Sequence, residues 1–229
     1  MEKELFTKLI SRKREVLLHF EKVLSSPLGK AEYFLSPLNK GEDYAIDIAL
    51  FEPSEDYPYF VASTVGLSCY QFNKMYARCE LMLALPQNYK FDASKEDSTW
   101  PLELLRRLAY LLLYAKKVPA LSQIYEIFDK DELKATNQNC GILVAPDMFD
   151  GSMFEEKIDD TYTRFYQLVP LSSTQVKKAL DVGVQAFIEF DLHDAEGPDT
   201  VVNWKPKTNK KIEEIISHNE GNLKSKTKK

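Results

Sequence analysis

Residues 102–117 hold a run of Leu, Ala and Tyr that is apolar almost all the way round a helix. Such a helix is stable in water only when another layer covers it. Its longest apolar stretch, residues 108–115, falls far short of the roughly 20 residues that a membrane span needs. The covering layer must therefore come from the chain itself, and the segment before the helix supplies one. Residues 32–35, 44–51, 59–65 and 75–85 read as strands, bounded by Gly29, Pro37, Gly41, Pro53, Gly66 and Pro86. Their spacing and turn residues favour antiparallel neighbours in one sheet. Trp100-Pro101 is expected to open the long helix with Pro in its first turn.

The flanks complete the architecture. Leu5, Leu9, Val16, Phe20, Val23 and Leu24 recur at helical spacing among charges, so residues 2–25 form an amphipathic helix that Ser25-Ser26-Pro27 ends. Residues 118–128 fit helix or strand equally. Residues 141–146 read as a short buried strand, and a polar loop leads to another strand at 165–169 that Pro170 stops. Ser172 or Ser173 caps a last helix with Val176, Leu180, Val184, Phe187 and Ile188 on one side and a break at Gly183. The expected fold is α/β of the α+β type, a twisted, mixed, largely antiparallel sheet packed by an N-terminal, a central buried and a C-terminal helix. No internal repeat and no linker divides it, so residues 1–203 are expected to be one domain, with 204–229 a basic, flexible tail.

Charge is unevenly placed. The tail carries eight Lys and three Glu, which leaves residues 1–203 with 22 basic and 32 acidic side chains, a net of −10. An acidic body speaks against nucleic acid as partner and suits a basic protein. Met1-Glu2-Lys3-Glu4 begins a charged helix where a signal peptide would be apolar, and three cysteines with no close pairing do not make a disulfide framework. A cytoplasmic protein with reduced thiols is expected, with no membrane partner.

Chemistry is harder to find. The eight glycines stand singly, so no phosphate-cradling loop and no nucleophile elbow occurs. His19, His193 and His218 are far apart and none sits at ligand spacing from Cys69, Cys79 or Cys140, so each is read as a surface or helix-face residue, with no metal, cofactor or catalytic residue expected. Cys69 and Cys79, ten apart, are read as small packing residues of a reduced core. Carboxylates remain. Residues 147–160 hold Asp147, Asp150, Glu155, Glu156, Asp159 and Asp160 against one Lys157, with Met148, Phe149, Met153 and Phe154 between them. Calcium-loop spacing is missing. One reading is a solvated acidic loop. The sharper one is a partner-binding face in which Asp147, Asp150, Phe154, Glu155, Glu156, Asp159 and Asp160 meet another protein.

Several segments then fall into a familiar order: Ala45-Ile46-Asp47-Ile48, Thr64-Val65-Gly66-Leu67-Ser68, Glu80-Leu81-Met82-Leu83-Ala84-Leu85-Pro86, Trp100-Pro101 with Leu108-Ala109, and Leu168-Val169-Pro170-Leu171 before Gly183. In this order they resemble the suppressor-of-fused domain family, over about residues 27–192. The family often has a Gly-His-Thr-like segment after the long helix, where this chain has Ala120-Leu121-Ser122-Gln123-Ile124. The resemblance implies a mixed α/β domain with a protein-sequestering role and no enzymatic activity. Animal members bind a transcription factor; stand-alone bacterial members resemble immunity proteins. The chain lacks the long C-terminal domain of the animal proteins, so the resemblance implies an immunity protein (antitoxin) that neutralises a toxin by stoichiometric binding. The partner would be a basic toxin domain, a nuclease for instance, and the chain a monomer or weak dimer. A scaffold or sequestering protein for a regulatory partner is the alternative, and a carboxylate-based hydrolase stands third.

Overall fold

The computed structural model describes residues 2–25, 32–34, 46–72, 78–92, 94–129, 136–146, 155–158 and 161–192. In chain order the elements are α1 (Glu2–Leu24), β1 (Glu32–Phe34), β2 (Asp47–Phe51), β3 (Phe60–Val65), β4 (Arg78–Leu85), α2 (Glu96–Tyr114), β5 (Ile124–Glu126), β6 (Cys140–Val144), β7 (Glu155–Ile158), β8 (Thr161–Leu171), α3 (Ser173–Val182) and α4 (Val184–Phe187). A 3₁₀ turn, Leu67–Cys69, follows β3, and a π-helical turn, Ile188–Leu192, follows α4.

The strands form one eight-stranded sheet in the order β1-β2-β3-β4-β8-β6-β5, with β7 paired to β8 beside it. β1 to β4 make an antiparallel meander. The crossover through α2 then returns β8 parallel to β4, from Arg78↔Thr163 to Met82↔Gln167. Along its other edge β8 pairs first with β7 (Glu155↔Arg164 to Ile158↔Thr161) and then with β6 (Val144↔Gln167 to Cys140↔Leu171), both antiparallel. The mixed, largely antiparallel sheet expected from the sequence is what forms.

Side-chain alternation sends the two faces of the sheet to different partners. Leu81, Leu83, Leu85, Leu143, Tyr166 and Leu168 join Trp100, Leu104, Leu105, Leu108 and Leu112 of α2 in one core. Ala49, Phe51, Val61, Val65, Met82 and Phe165 face the other way and join Val16, Leu17, Phe20 and Leu24 of α1. On that same face, Ile142, Val144, Val169 and Leu171 pack under Ala179, Phe187, Ile188 and Leu192 of the C-terminal helical run. Among the described residues, α2 covers one face of the sheet and α1 and α3–α4 cover the other.

Four local expectations need correction. Trp100-Pro101 does not open α2: the helix begins at Glu96 and Pro101 lies in its second turn, where it forfeits one backbone bond. The start is organised by Ser98, whose hydroxyl donates to the Asp92 and Lys95 carbonyls and accepts from the Asp92 N–H. Nor does the helix run to Lys117. Lys116 takes a left-handed φ of 50°, and the N–H groups of Lys116 and Lys117 return to the Leu113 and Leu112 carbonyls. That is a Schellman ending without the usual glycine, so no residue type announced it. Pro170 does not stop β8, because the ladder to β4 has ended at Gln167 and no donor is needed on that edge at 170. Glu155–Ile158, read as part of a polar loop, is a strand. The ambiguous 118–128 segment supplies β5, a three-residue edge strand.

Ser172 caps α3 through a reciprocal box with Gln175, and Gly183, at φ 94°, makes the expected break before α4. The expected strand residues 35, 44–45 and 75–77, and everything from residue 193 onward, including His193, His218 and the basic tail, lie outside the described residues.

Candidate functional site

Two of the motif segments singled out in the sequence are one structural unit, and Glu80 joins them. β3 ends in Thr64-Val65, Gly66 turns the chain at φ 113°, and Leu67–Cys69 forms the 3₁₀ turn. A left-handed φ of that size is costly for any residue but glycine. The side chain of Glu80, on the neighbouring β4, fills the inside of this turn and is completely buried. Its Oε1 accepts from the Gly66 N–H (3.1 Å), the Ser68 N–H (3.0 Å) and the Ser68 hydroxyl (2.7 Å), and its Oε2 from the Thr64 hydroxyl (2.6 Å). Burial pushes the Glu80 carboxyl above the usual carboxylate range, while these four donors pull it down.

α1 locks onto the same unit from above. Arg12, itself buried, donates through Nε to the Ser68 hydroxyl (3.3 Å), through one terminal nitrogen to the Ile158 carbonyl (3.3 Å) and through the other to the Thr163 hydroxyl (2.6 Å). A single guanidinium thereby ties α1 to the turn after β3, to β7 and to β8, a geometry that its planar fork of donors suits. Lys13 adds an ion pair with Asp47 of β2 at 2.6 Å. Arg78 donates to the Ser68 carbonyl at 2.6 Å.

Two turns along α1 from Arg12, His19 faces inward. It was read as a surface or helix-face residue, and it is on a helix face, but the buried one. Its ring stacks on Phe165 at 4.7 Å, its Nδ1 lies 3.9 Å from a Glu156 carboxylate oxygen, and its Nε2 is buried without a hydrogen-bond partner among the described residues. Burial depresses its pKa, Glu156 pulls it back up, and Lys22 adds to the depression.

The β7–β8 hairpin that α1 holds is where the described part of the predicted partner face sits. Glu155 and Glu156 lie on β7; Asp147, Asp150, Phe154, Asp159 and Asp160 lie outside the described residues. Glu155 is exposed and meets the Arg164 guanidinium across the pair at 2.8 Å, which raises the pKa of that arginine. Glu156 is half-buried and turned to His19. The next cross-strand pair on this face is Lys157 with Tyr162, a residue 60% exposed. The outer surface of this hairpin therefore alternates Glu155, Arg164, Lys157 and Tyr162, and the acidity of Glu155 is locally balanced.

Around this cluster Ser68, Cys69 and Cys79 are occupied or muted. The Ser68 hydroxyl donates to Glu80, and burial pushes the Cys69 thiol up to about 12, so it stays protonated at neutral pH. Cys79 is fully buried and pushed well up for the same reason, and all three cysteines are free thiols. Among the described residues no three His, Cys, Asp or Glu side chains gather as a metal site would require, and no helix is long and apolar enough to cross a membrane. Sequence reasoning missed Arg12 and His19, and it saw Glu80 only as one letter of a motif. The available signal was charge: a carboxylate inside a strand as apolar as 78–85 must find donors when it is buried.

Comparison with known proteins bears on this arrangement. The family model described as suppressor of fused protein (SUFU) matches residues 42–204. No curated protein sequence matches the chain. Among solved structures, a SUFU homologue from Neisseria gonorrhoeae FA 1090 superposes with a TM-score of 0.57 at 15% identity, over 79% of this chain and 90% of that one. The Sufu–Fu complex gives 0.59 at 12% identity, over 83% and 88%. Drosophila Suppressor of Fused gives 0.54 at 13% identity, over 83% of this chain and 48% of its own.

Proposed function

Because the chain belongs to the suppressor of fused family, we propose that it works by gripping another protein, as an immunity protein that occupies a toxin domain one-to-one and leaves its covalent bonds untouched. The observation that carries the reading is the family match over residues 42–204, with a Neisseria homologue among the structures of the same fold. The chain spans 48% of the Drosophila protein. The cytoplasm is the compartment in which such a protein would meet its toxin. The net charge of −10 over residues 1–203 would speed encounter with a basic toxin domain such as a nuclease.

Co-expression with a toxin encoded beside this gene tests it: survival is expected, and undiminished killing removes the immunity reading. The partner face is assigned to Asp147, Asp150, Phe154, Glu155, Glu156, Asp159 and Asp160. Reversing the charge of Glu155, Glu156, Asp159 and Asp160 together should slow association about tenfold and flatten its salt dependence. Unchanged kinetics would move the contact elsewhere. A second reading, capture of a regulatory protein with no toxin involved, is favoured by the likeness to the protein in the Sufu–Fu complex. A toxin-free gene neighbourhood would select it.

A further inference from the structure

α2 is apolar on the side that water reaches as well as on the side it buries. Trp100, Leu104, Leu105, Leu108 and Leu112 face the sheet. Positions 107, 111 and 114, with 110 beside them, form the opposite stripe at helical spacing. A solvated stripe normally carries charges. This one carries Leu111, 38% exposed, and Tyr114, 58% exposed, with Tyr110 stacked on Tyr114 at 6.2 Å. At its upstream end the Arg107 guanidinium lies 5.1 Å over the Phe128 ring. From 107 to 114 the stripe is about 10 Å long.

Glu103 stands one turn before Arg107, and past it the charges along the chain are basic as far as residue 125. Residues 104–125 contain Arg106, Arg107, Lys116 and Lys117 and no Asp or Glu, in a body whose net charge is −10. Arg106 is answered by Glu103 at 2.8 Å and Arg107 lies over Phe128, while Lys116 and Lys117 are exposed. Lysines after a helix C-terminus also answer the negative end of its dipole. That accounts for Lys116 and Lys117 but leaves the exposed Leu111 and Tyr114 without a reason.

We propose that the outward stripe of α2 is a docking surface for an acidic, amphipathic segment of a partner protein. Its apolar side chains lie on Tyr110, Leu111 and Tyr114, and its carboxylates meet Arg107, Lys116 and Lys117. A second copy of this chain would bring cations against cations. A lipid surface would face the whole acidic body, whereas a bound segment feels charges only within a Debye length of about 8 Å. The inference rests on this surface and not on the partner being a toxin, so loss of the immunity reading leaves it standing.

The test uses the full chain and two synthetic helical peptides of about 18 residues, with Leu and Trp on one face and either Glu or Lys on the other. In about 50 mM salt the Glu peptide is expected to bind at least ~10-fold more tightly than the Lys peptide. Its amide shifts should centre on residues 107–117. Leu111→Ser with Tyr114→Ser should weaken it at least ~10-fold while circular dichroism stays unchanged, and Lys116→Glu with Lys117→Glu should reverse the peptide preference. Equal affinity for both peptides, no binding, or shifts centred on another surface would overturn the proposal. So would self-association, or capture by vesicles of phosphatidylcholine with about 30% phosphatidylserine, if the Leu111/Tyr114 variant abolished it; these would reassign the stripe to a second copy or to a lipid surface.

Discussion

The two faces of the sheet are covered in opposite ways. On the α2 face the contact is Leu upon Leu, and what holds it is apolar area removed from water. On the α1 face the apolar seam of Val16, Phe20 and Leu24 runs beside a buried polar cluster, Glu80–Ser68–Arg12–Thr163, with His19 further along the helix. Apolar area tolerates a shift of register, because Leu packs against many neighbours about equally well. A carboxylate held by four donors and a guanidinium held at three points do not. The α2 face therefore supplies bulk cohesion, while the α1 face dictates where α1, the turn after β3 and the β7–β8 hairpin sit relative to one another. The hairpin carries Glu155 and Glu156, so the placement of the proposed partner face depends on the polar side.

This contrast can be broken by measurement. Glu80→Leu should have the largest effect, about 4 kcal/mol by urea unfolding, because it orphans the Gly66 and Ser68 N–H groups and the Thr64 and Ser68 hydroxyls inside the core. Leu108→Ala on the α2 face should cost about 3 kcal/mol, as cavities of that size do. If Leu108→Ala cost clearly more than Glu80→Leu, the polar cluster would be incidental. Combining Glu80→Leu with Arg12→Met should recover about 1–2 kcal/mol relative to the sum of the single changes, because both side chains bond the same Ser68 hydroxyl. Strict additivity would mean that Ser68 does not couple them.

A pH titration sharpens the same point. His19 is depressed in the folded protein below its ordinary 6.5, so the unfolded chain binds the extra proton first. Its contribution to stability is present above 6.5, and it is lost as the pH falls from there towards the depressed folded value. Wild type should lose stability over that window more steeply than His19→Phe, and parallel curves would contradict the buried placement. The smallest effect belongs to the exposed Glu155–Arg164 pair, where Glu155→Ala should change stability by no more than about 0.5 kcal/mol.

Much of the architecture was legible because it follows from periodicity. Val16 and Phe20 on α1, the Gly- and Pro-bounded strands, the Ser172 cap and the Gly183 break obey local rules, and the structure follows them. What was illegible depends on contacts between distant residues. Pro101 and Pro170 were read as boundaries, but α2 runs through Pro101 at the loss of one backbone bond, and β8 runs through Pro170 because no donor is needed on the β4 edge there. Arg12 reaches a serine 56 residues away, and nothing in the neighbourhood of Arg12 in the sequence announces it. The motif segments at 64–68 and 80–86 were recognised separately; only the fold shows that Glu80 holds the first from within the second. Of the proposed partner face, Glu155 proved to be balanced by Arg164, which only the cross-strand register could reveal.

The central claim is that this molecule acts by occupying another protein. Native mass spectrometry of the chain purified gently from its own cells measures that directly. The account predicts a one-to-one non-covalent complex with a single protein, which on dissociation returns both chains at their unmodified masses. A chain that emerges alone, or a partner returned with a changed covalent mass, would contradict it.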